Sequence, residues 1–148
     1  MHWSWQRFDD LGVHALYDIL ALRCRVFILE QGAYLDPDGA DLQAWHLQGR
    51  DAAGVLQAYL RGVDPGVKYS EPSIGRVITA PELRRSGLGR ELMHEGLVRC
   101  ARQWPGQAVR ISAQARLNDF YAGFGFVTQG EDYLEDGIPH RQMLWRPT

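Results

Sequence analysis

The chain contains little cysteine and little excess charge. It has two cysteines among 148 residues, Cys24 and Cys100, and both lie inside helical patterns rather than in a paired spacing. This argues against a disulfide framework and against a zinc site. With a formal net charge of −2, broad electrostatic attraction to nucleic acid or to an anionic membrane is not expected, so we expect neither as a partner.

Long apolar runs are also missing. No stretch of the sequence approaches the length that spans a bilayer, and residues 1–7 lack the apolar core of a signal peptide. The length of 148 residues and the hydrophobic fraction of 45% are ordinary for one globular domain. We therefore expect a cytoplasmic protein folded as one domain over residues 1–148.

Two phosphate-binding motifs and one calcium-binding motif are absent as well. The sequence has no P-loop of the form G-x-x-x-x-G-K-[ST] and no dinucleotide fingerprint G-x-G-x-x-G. The acidic stretch 36–41 does not have EF-hand spacing, because Leu47 stands where a glutamate ligand is needed. Nucleotide hydrolysis is disfavoured, since a P-loop lysine and metal-binding carboxylates near a glycine loop are both missing.

The most informative stretch reads as a strand, a basic glycine-containing loop and a helix. Residues 74–79 are rich in apolar and β-branched side chains, and Pro81 ends the strand by removing a backbone donor. The apolar side chains then follow helical spacing, at Leu88, Leu92, Met93, Leu97, Cys100, Ala101 and Trp104. The free N–H groups of a helix start and the positive end of its dipole attract anions. Gly87 and Gly89 leave room for a phosphate, and Arg84 and Arg85 add positive charge.

The remaining segments alternate strands and helices. We predict strands at residues 2–8, 44–49, 55–61, 108–113, 124–127 and 141–145, with a hairpin turn at 50–54. Helices are predicted from Asp9 or Asp10 to about residue 30, with a break near Ala21 and Leu22 as an alternative, and at 115–123. Residues 31–42, 64–72 and 131–139 read as loops. This order favours a mixed α/β sheet with helices on both faces.

The basic loop carries a resemblance to a known family. Its spelling, Arg84-x-x-Gly87-x-Gly89, resembles the pyrophosphate loop of the GNAT superfamily of acyl-CoA N-acyltransferases. Residues 114–126 resemble a second motif of that superfamily, with Phe120-Tyr121 and Gly125-Phe126 at the expected places. Two residues depart from the motif, since Gln114 replaces the usual asparagine and Leu117 the usual small residue.

The first half of the chain extends the resemblance. Residues 22–31, 36–41, His46 and 136–140 are similar to the ElaA-like subfamily, so the resemblance spans nearly the whole chain. It implies a GNAT-type mixed, mostly antiparallel central sheet with helices on both faces. It also implies acetyl-CoA as cosubstrate and a small-molecule or peptide amine as acceptor, without identifying that amine.

The resemblance implies roles for the matching residues. The backbone of Arg84, Arg85, Ser86, Gly87, Leu88 and Gly89 would hold the pyrophosphate of CoA. The strand edge at Val77, Ile78 and Thr79 would pair with the pantetheine amides. Tyr121 is the candidate general acid toward the departing thiolate. Asn118 lies three residues earlier on the same helix face, so either side chain can contact CoA.

The general base stays open between His46 and Glu71. His140 could sit near the acceptor or merely begin the last strand, and Glu30 could do no more than accept from a neighbouring arginine. Two acidic segments, 36–41 and 131–136, are expected to flank the acceptor and to favour a cationic amine.

Two alternatives accompany this interpretation. The chain could be a catalytically silent acyl-CoA-binding or interaction module on the same fold, which an amine panel with acetyl-CoA would distinguish. An exposed strand edge could also pair two chains into a homodimer.

Overall fold

A computed structural model describes residues 1–28 and 35–148. These residues form a seven-stranded sheet in the order β1-β2-β3-β4-β5-β7-β6. The strands are β1 His2–Arg7, β2 Trp45–Arg50, β3 Leu56–Val63, β4 Ser73–Thr79, β5 Val109–Gln114, β6 Val127–Glu135 and β7 Ile138–Trp145. Every neighbouring pair is antiparallel except β4 and β5, which are parallel. This confirms the predicted mixed, mostly antiparallel sheet.

The helices cover both faces of the sheet, as predicted. They are α1 Gly12–Arg23, α2 Leu88–Gln103 and α3 Asn118–Ala122. The apolar side of α2 packs in one core with Leu60 of β3 and Ile111 of β5, while α1 packs in a second core with Tyr59 and Ile78. Tyr59 and Leu60 are adjacent in β3 and point to opposite faces, so α1 and α2 lie on opposite sides. Within the described ranges, no helix is long and apolar enough to cross a membrane.

The structure differs from the prediction at the end of the first helix. No break occurs at Ala21, because α1 continues to Arg23 and then passes into a wider π-helical turn, Cys24–Ile28. The predicted end near residue 30, with Glu30 and the start of the loop at residue 31, lies outside the described residues.

The prediction of an acidic loop at 131–139 is wrong. Strand β6 continues to Glu135, and β7 begins at Ile138, so most of this segment is a hairpin. Its turn is formed by Asp136 and Gly137, whose φ angles of 52° and 76° suit a tight hairpin turn. Strand β6 is the exposed edge of the sheet, and its stretch from Thr128 to Asp132 holds polar residues and a glycine, so its composition resembles that of a loop.

The contact between β4 and β5 is short. Their register pairs Ser73 with Arg110, and beyond this point β4 and β5 separate in the part of the chain that the structure describes. The pairing of β4 with β3 shifts between Tyr59 and Arg61, so β4 holds an extra residue there. Arg76 adopts a positive φ of 52° within this bulge. The edge of β4 that faces β5 therefore keeps backbone groups outside the ladder.

Candidate active site

A cavity of about 870 Å³ occupies the opening between β4 and β5. It has two sides, because Ile111 and Ala113 of β5 pack in the α2 core and Ser112 and Gln114 therefore point the other way. The α3 side is lined by Arg84, Arg116, Leu117 and Tyr121. The α1 side is lined by Asp38, Lys68, Arg76, Ser112, Gln114, Glu135, Asp136 and His140. The predicted strand-edge residues Val77, Ile78 and Thr79 also line the cavity.

The predicted pyrophosphate loop lies next to this cavity. After β4, a short turn Pro81–Leu83 leads to Gly87, which has a φ of 89° and immediately precedes α2. No side-chain hydrogen bond caps α2 at Gly87, and the first N–H groups of a helix have no intrahelical partner. Arg84, Arg85 and Ser86 are exposed beside them, whereas the side chain of Leu88 is buried in the core and its backbone N–H donates to Ser86 Oγ at 3.4 Å.

Tyr121 lies at the end of the short helix α3 and faces the cavity. It is 7% exposed, and its ring packs edge-on against Phe120 and Phe126 at centroid distances of 5.1 and 5.8 Å. Burial raises the pKa of Tyr121 to about 12. Its phenol is therefore protonated at neutral pH and can donate a proton.

Asn118 has a different environment from Tyr121. Its Oδ1 accepts hydrogen bonds from Arg141 Nη1 at 2.9 Å and from Thr128 Oγ1 at 3.3 Å. It is not among the described residues that line the cavity. The side chain thus ties α3 to strands β6 and β7.

The structure does not bring His46 to the cavity. This residue is 1% exposed in β2, and its Nε2–H donates to the Asp41 carbonyl oxygen at 2.9 Å. Its Nδ1 then accepts from the Tyr59 hydroxyl at 2.7 Å. Burial lowers the pKa of His46, so the ring stays neutral and joins the segment before β2 to the sheet.

Glu71 is bound by an arginine. Its two carboxylate oxygens accept from Arg110 Nε and Nη2 at 3.0 and 2.9 Å, and Ser70 donates to it as well. The hydrogen bonds from Arg110 lower the pKa of Glu71 to about 2. Glu71 is not among the described cavity-lining residues, and a carboxylate with this pKa is a weak proton acceptor.

The first acidic segment does not form a negative wall. Its carboxylates belong to a buried ion network, which contains Arg23, Asp36, Asp38, Asp41, Arg61, Lys68 and Arg76. Burial alone would raise the pKa of Asp41, but hydrogen bonds from Arg23 and Arg61 more than offset it and hold the pKa below its usual range. Arginines and a lysine already neutralise this segment, so its charge does not support the expected attraction for a cationic amine.

His140, which the sequence left either near the acceptor or at the start of the last strand, lies on the α1 side of the cavity. It stands opposite Gln114 in the register of β5 and β7, so both side chains share one face. Its Nδ1–H donates to the Ile138 carbonyl oxygen at 2.7 Å, and its Nε2 lies 3.3 Å from Glu135 Oε2. The alternation of polar and apolar residues along β5 predicts that Ser112 and Gln114 share one face of the sheet. Only the pairing of β5 with β7 shows that His140 lies on that face as well.

Comparisons with known proteins agree with this architecture. Residues 53–147 match the family model described as the acetyltransferase (GNAT) domain. A UPF0039 protein of Synechocystis sp. is 46% identical over 147 residues, which cover 99% of this chain and 96% of that protein.

Two solved structures are similar over nearly their whole length. The crystal structure of an acyl-CoA N-acyltransferase from Pseudomonas aeruginosa is 40% identical with a TM-score of 0.92, over 97% of this chain and 98% of that one. The crystal structure of Escherichia coli ElaA is 38% identical with a TM-score of 0.91, over 98% of this chain and 99% of that one. The chain therefore belongs to the GNAT acetyltransferase family of acyl-transfer enzymes and is similar to ElaA within it.

Proposed function

We propose that this protein transfers an acetyl group from acetyl-CoA to a primary amine of a small molecule or peptide. The observation that carries the proposal is the cavity between β4 and β5, which adjoins an unpaired strand edge, a helix start and a buried phenol. Family membership supports acyl transfer, and a relative named an acyl-CoA N-acyltransferase supports CoA as the carrier.

The donor would bind along the α3 side. The free edge of β4 at residues 77–79 offers N–H and C=O groups to the amides of pantetheine, as a neighbouring strand would. The N–H groups of Arg84, Ser86 and Leu88 already donate within the protein, so the backbone of Arg85, Gly87 and Gly89 would meet the pyrophosphate, beside the positive charge of the loop. Gly87 has no side chain that would shield these groups from a phosphate.

The reaction needs two proton transfers. The amine nitrogen attacks the thioester carbonyl carbon, a C–N bond forms, and the C–S bond breaks. A backbone N–H at the β4 bulge would stabilise negative charge on the carbonyl oxygen. Tyr121 would protonate the departing thiolate, and a base would accept the proton that the amine nitrogen loses as it forms the C–N bond.

His140 is the best-placed base among the described residues. It lines the cavity on the side opposite Tyr121, and its Nδ1–H bond to Ile138 leaves Nε2, beside the Glu135 carboxylate, as the nitrogen that can accept a proton. His46 and Glu71, the bases proposed from sequence, are each engaged by other residues away from the cavity.

Replacing His140 by glutamine is expected to lower kcat by about 10²-fold, because the variant lacks the proposed base. This lies at the lower end of the range for general-base catalysis, since water can accept the proton in place of the histidine to some extent. Glu71→Gln is the matched control and should leave kcat within about twofold, since the carboxylate of Glu71 is bound by Arg110 and Ser70 away from the cavity. Thiol release with saturating acetyl-CoA and amine measures both. A large loss in Glu71→Gln with a normal His140→Gln would return the base role to Glu71.

The pyrophosphate position can be tested at Gly89. A Cβ built at Gly89 lies 3.7 Å from Phe120, an ordinary contact, so a side chain fits there. Gly87 is unsuitable because its φ of 89° would strain any side chain. An aspartate at position 89 favours the helix start but repels a phosphate, so Gly89→Asp should weaken CoA binding about tenfold or more.

Gly89→Ala is the control for this substitution and should bind CoA almost as the parent does. Calorimetric titration with CoA at low and high salt measures the effect, and the loss in Gly89→Asp should shrink at high salt. Equal CoA affinity of the two variants would show that the pyrophosphate does not bind at this loop.

The proposed function itself is tested with acetyl-CoA and a panel of primary amines. We expect thiol release that depends on the amine, with an acetylated amine identified by mass. CoA binding without amine-dependent release would instead support the silent acyl-CoA-binding module.

A further inference from the structure

The α1 side of the cavity carries fixed charges of both signs. Lys68 comes from the loop between β3 and β4, and Glu135 comes from the end of β6. Both residues also line a smaller hollow of about 120 Å³ that adjoins the main cavity, together with Tyr69 and Ser112. A small molecule placed there would meet a cation and a carboxylate at once.

Lys68 keeps binding capacity because its carboxylate partner is shared. Its Nζ lies 2.9 Å from Asp38 Oδ2, but the two oxygens of Asp38 also accept from Arg61 at 2.7 and 2.8 Å. The Lys68 side chain is 38% exposed, and an ammonium group has three donors, of which Asp38 takes one. Asp38 therefore compensates only part of the charge of Lys68.

Glu135 and His140 provide the opposite charge. Glu135 is 50% exposed and contacts Nε2 of His140 at 3.3 Å. The ring of His140 is fixed by its bond to Ile138 and by stacking on Tyr133 at a centroid distance of 6.3 Å. Asp136 lines the same part of the cavity. An ammonium group placed here can donate to Glu135 and pass a proton to His140.

We propose that the acceptor is an amine that also carries an anionic group, such as an amino acid. Its ammonium group binds at Glu135 and His140, and its carboxylate binds at Lys68. A plain amine of the same size lacks the contact with Lys68, and an acid without an amine is repelled by Glu135. This deepens the proposed function and rests on it, because the site is the acceptor side of the same cavity.

The test compares pairs of acceptors that differ by one carboxylate. The pairs are glycine with methylamine, β-alanine with ethylamine, 4-aminobutyrate with propylamine, and phenylalanine with phenethylamine, which vary the spacing and size. We expect kcat/KM of at least one amino acid to exceed that of its matched amine by about 10- to 100-fold. This is the gain expected from one additional hydrogen bond between charged groups.

Lys68→Gln should remove this preference, and Lys68→Arg should retain most of it. The two members of a pair differ in the pKa of the amine and therefore in intrinsic reactivity. The decisive quantity is the ratio of their kcat/KM values, compared between the parent and Lys68→Gln, because the difference in amine reactivity cancels in that comparison. Unchanged CoA affinity and melting temperature will show that Lys68→Gln is folded. An unchanged ratio in Lys68→Gln overturns the inference while leaving acetyl transfer intact. No acetylation of any amine overturns the proposed function, and this inference with it.

Discussion

Tyr121→Phe is expected to lower kcat by about 10²–10⁴-fold while changing KM for acetyl-CoA little. The substitution removes the hydroxyl and keeps the ring, so packing against Phe120 and Phe126 should persist. The departing CoA thiolate would then lack its proton donor at the moment the C–S bond breaks. Steady-state thiol release over a range of acetyl-CoA concentrations separates kcat from KM.

The pH dependence of the parent enzyme follows from the same phenol. Because the pKa of Tyr121 is about 12, the phenol remains protonated as pH rises to about 10, and it should cause no loss of kcat there.

Tyr17→Phe, at an exposed tyrosine of α1, is the matched control for Tyr121→Phe and should behave as the parent. If kcat of Tyr121→Phe stays within about twofold, solvent or another group supplies the proton.

Asp41→Asn is expected to lower the free energy of unfolding by about 3–5 kcal/mol, the loss typical of breaking a buried ion pair from one side. The Asp41 carboxylate accepts from Arg23 Nη1 at 2.7 Å and from Arg61 Nη1 at 2.9 Å. Both guanidinium groups are almost fully buried. Neutralising the carboxylate leaves two buried cations beside each other with less compensation. Urea denaturation at neutral pH measures the loss.

Asp18→Asn is the matched control for a partly exposed ion pair. Asp18 accepts from Arg50 at 3.0 Å with a side chain that is 46% exposed, so Asp18→Asn should lower the free energy of unfolding by at most about 1 kcal/mol.

The pKa of Asp41 is lowered in the folded state, so the contribution of Asp41 to stability is present above the unfolded pKa of about 3.9 and is lost as pH falls further. The gap between parent and Asp41→Asn should therefore narrow in acid. Equal losses for the two variants, or a gap that does not change with pH, would contradict this account.

Local sequence signals were sufficient to predict the strand, loop and helix on the donor side of the cavity. Pro81, Gly87 and the apolar spacing after Leu88 each act within a few residues, and they predicted the end of β4 and the start of α2. Two motifs in the right order then predicted the fold.

Residue roles on the acceptor side could not be predicted in the same way. A histidine in an apolar strand fits a catalytic base and a buried structural residue equally well. What decides for His46 is the hydroxyl of Tyr59 on the neighbouring strand, a partner that no local pattern identifies. His140 became a candidate because the β7 register places it opposite Gln114. From the sequence, Asp36 and Asp38 were expected to form part of an acidic wall beside the acceptor, but the fold places Arg61 and Arg76 against them.

The separation of β4 from β5 divides the sheet into two groups of strands that are also consecutive in the chain. Strands β1 to β4 end at Thr79, and β5 to β7 begin at Val109, with α2 between them in sequence. A ligand in the opening would touch both groups, which both line it, so its binding energy would also favour their association. By thermodynamic linkage, a ligand at 100 times its Kd would add about 2.7 kcal/mol to the stability of the folded state. Substrate occupancy would therefore add to the α2 core in holding the two groups together as one cooperative unit.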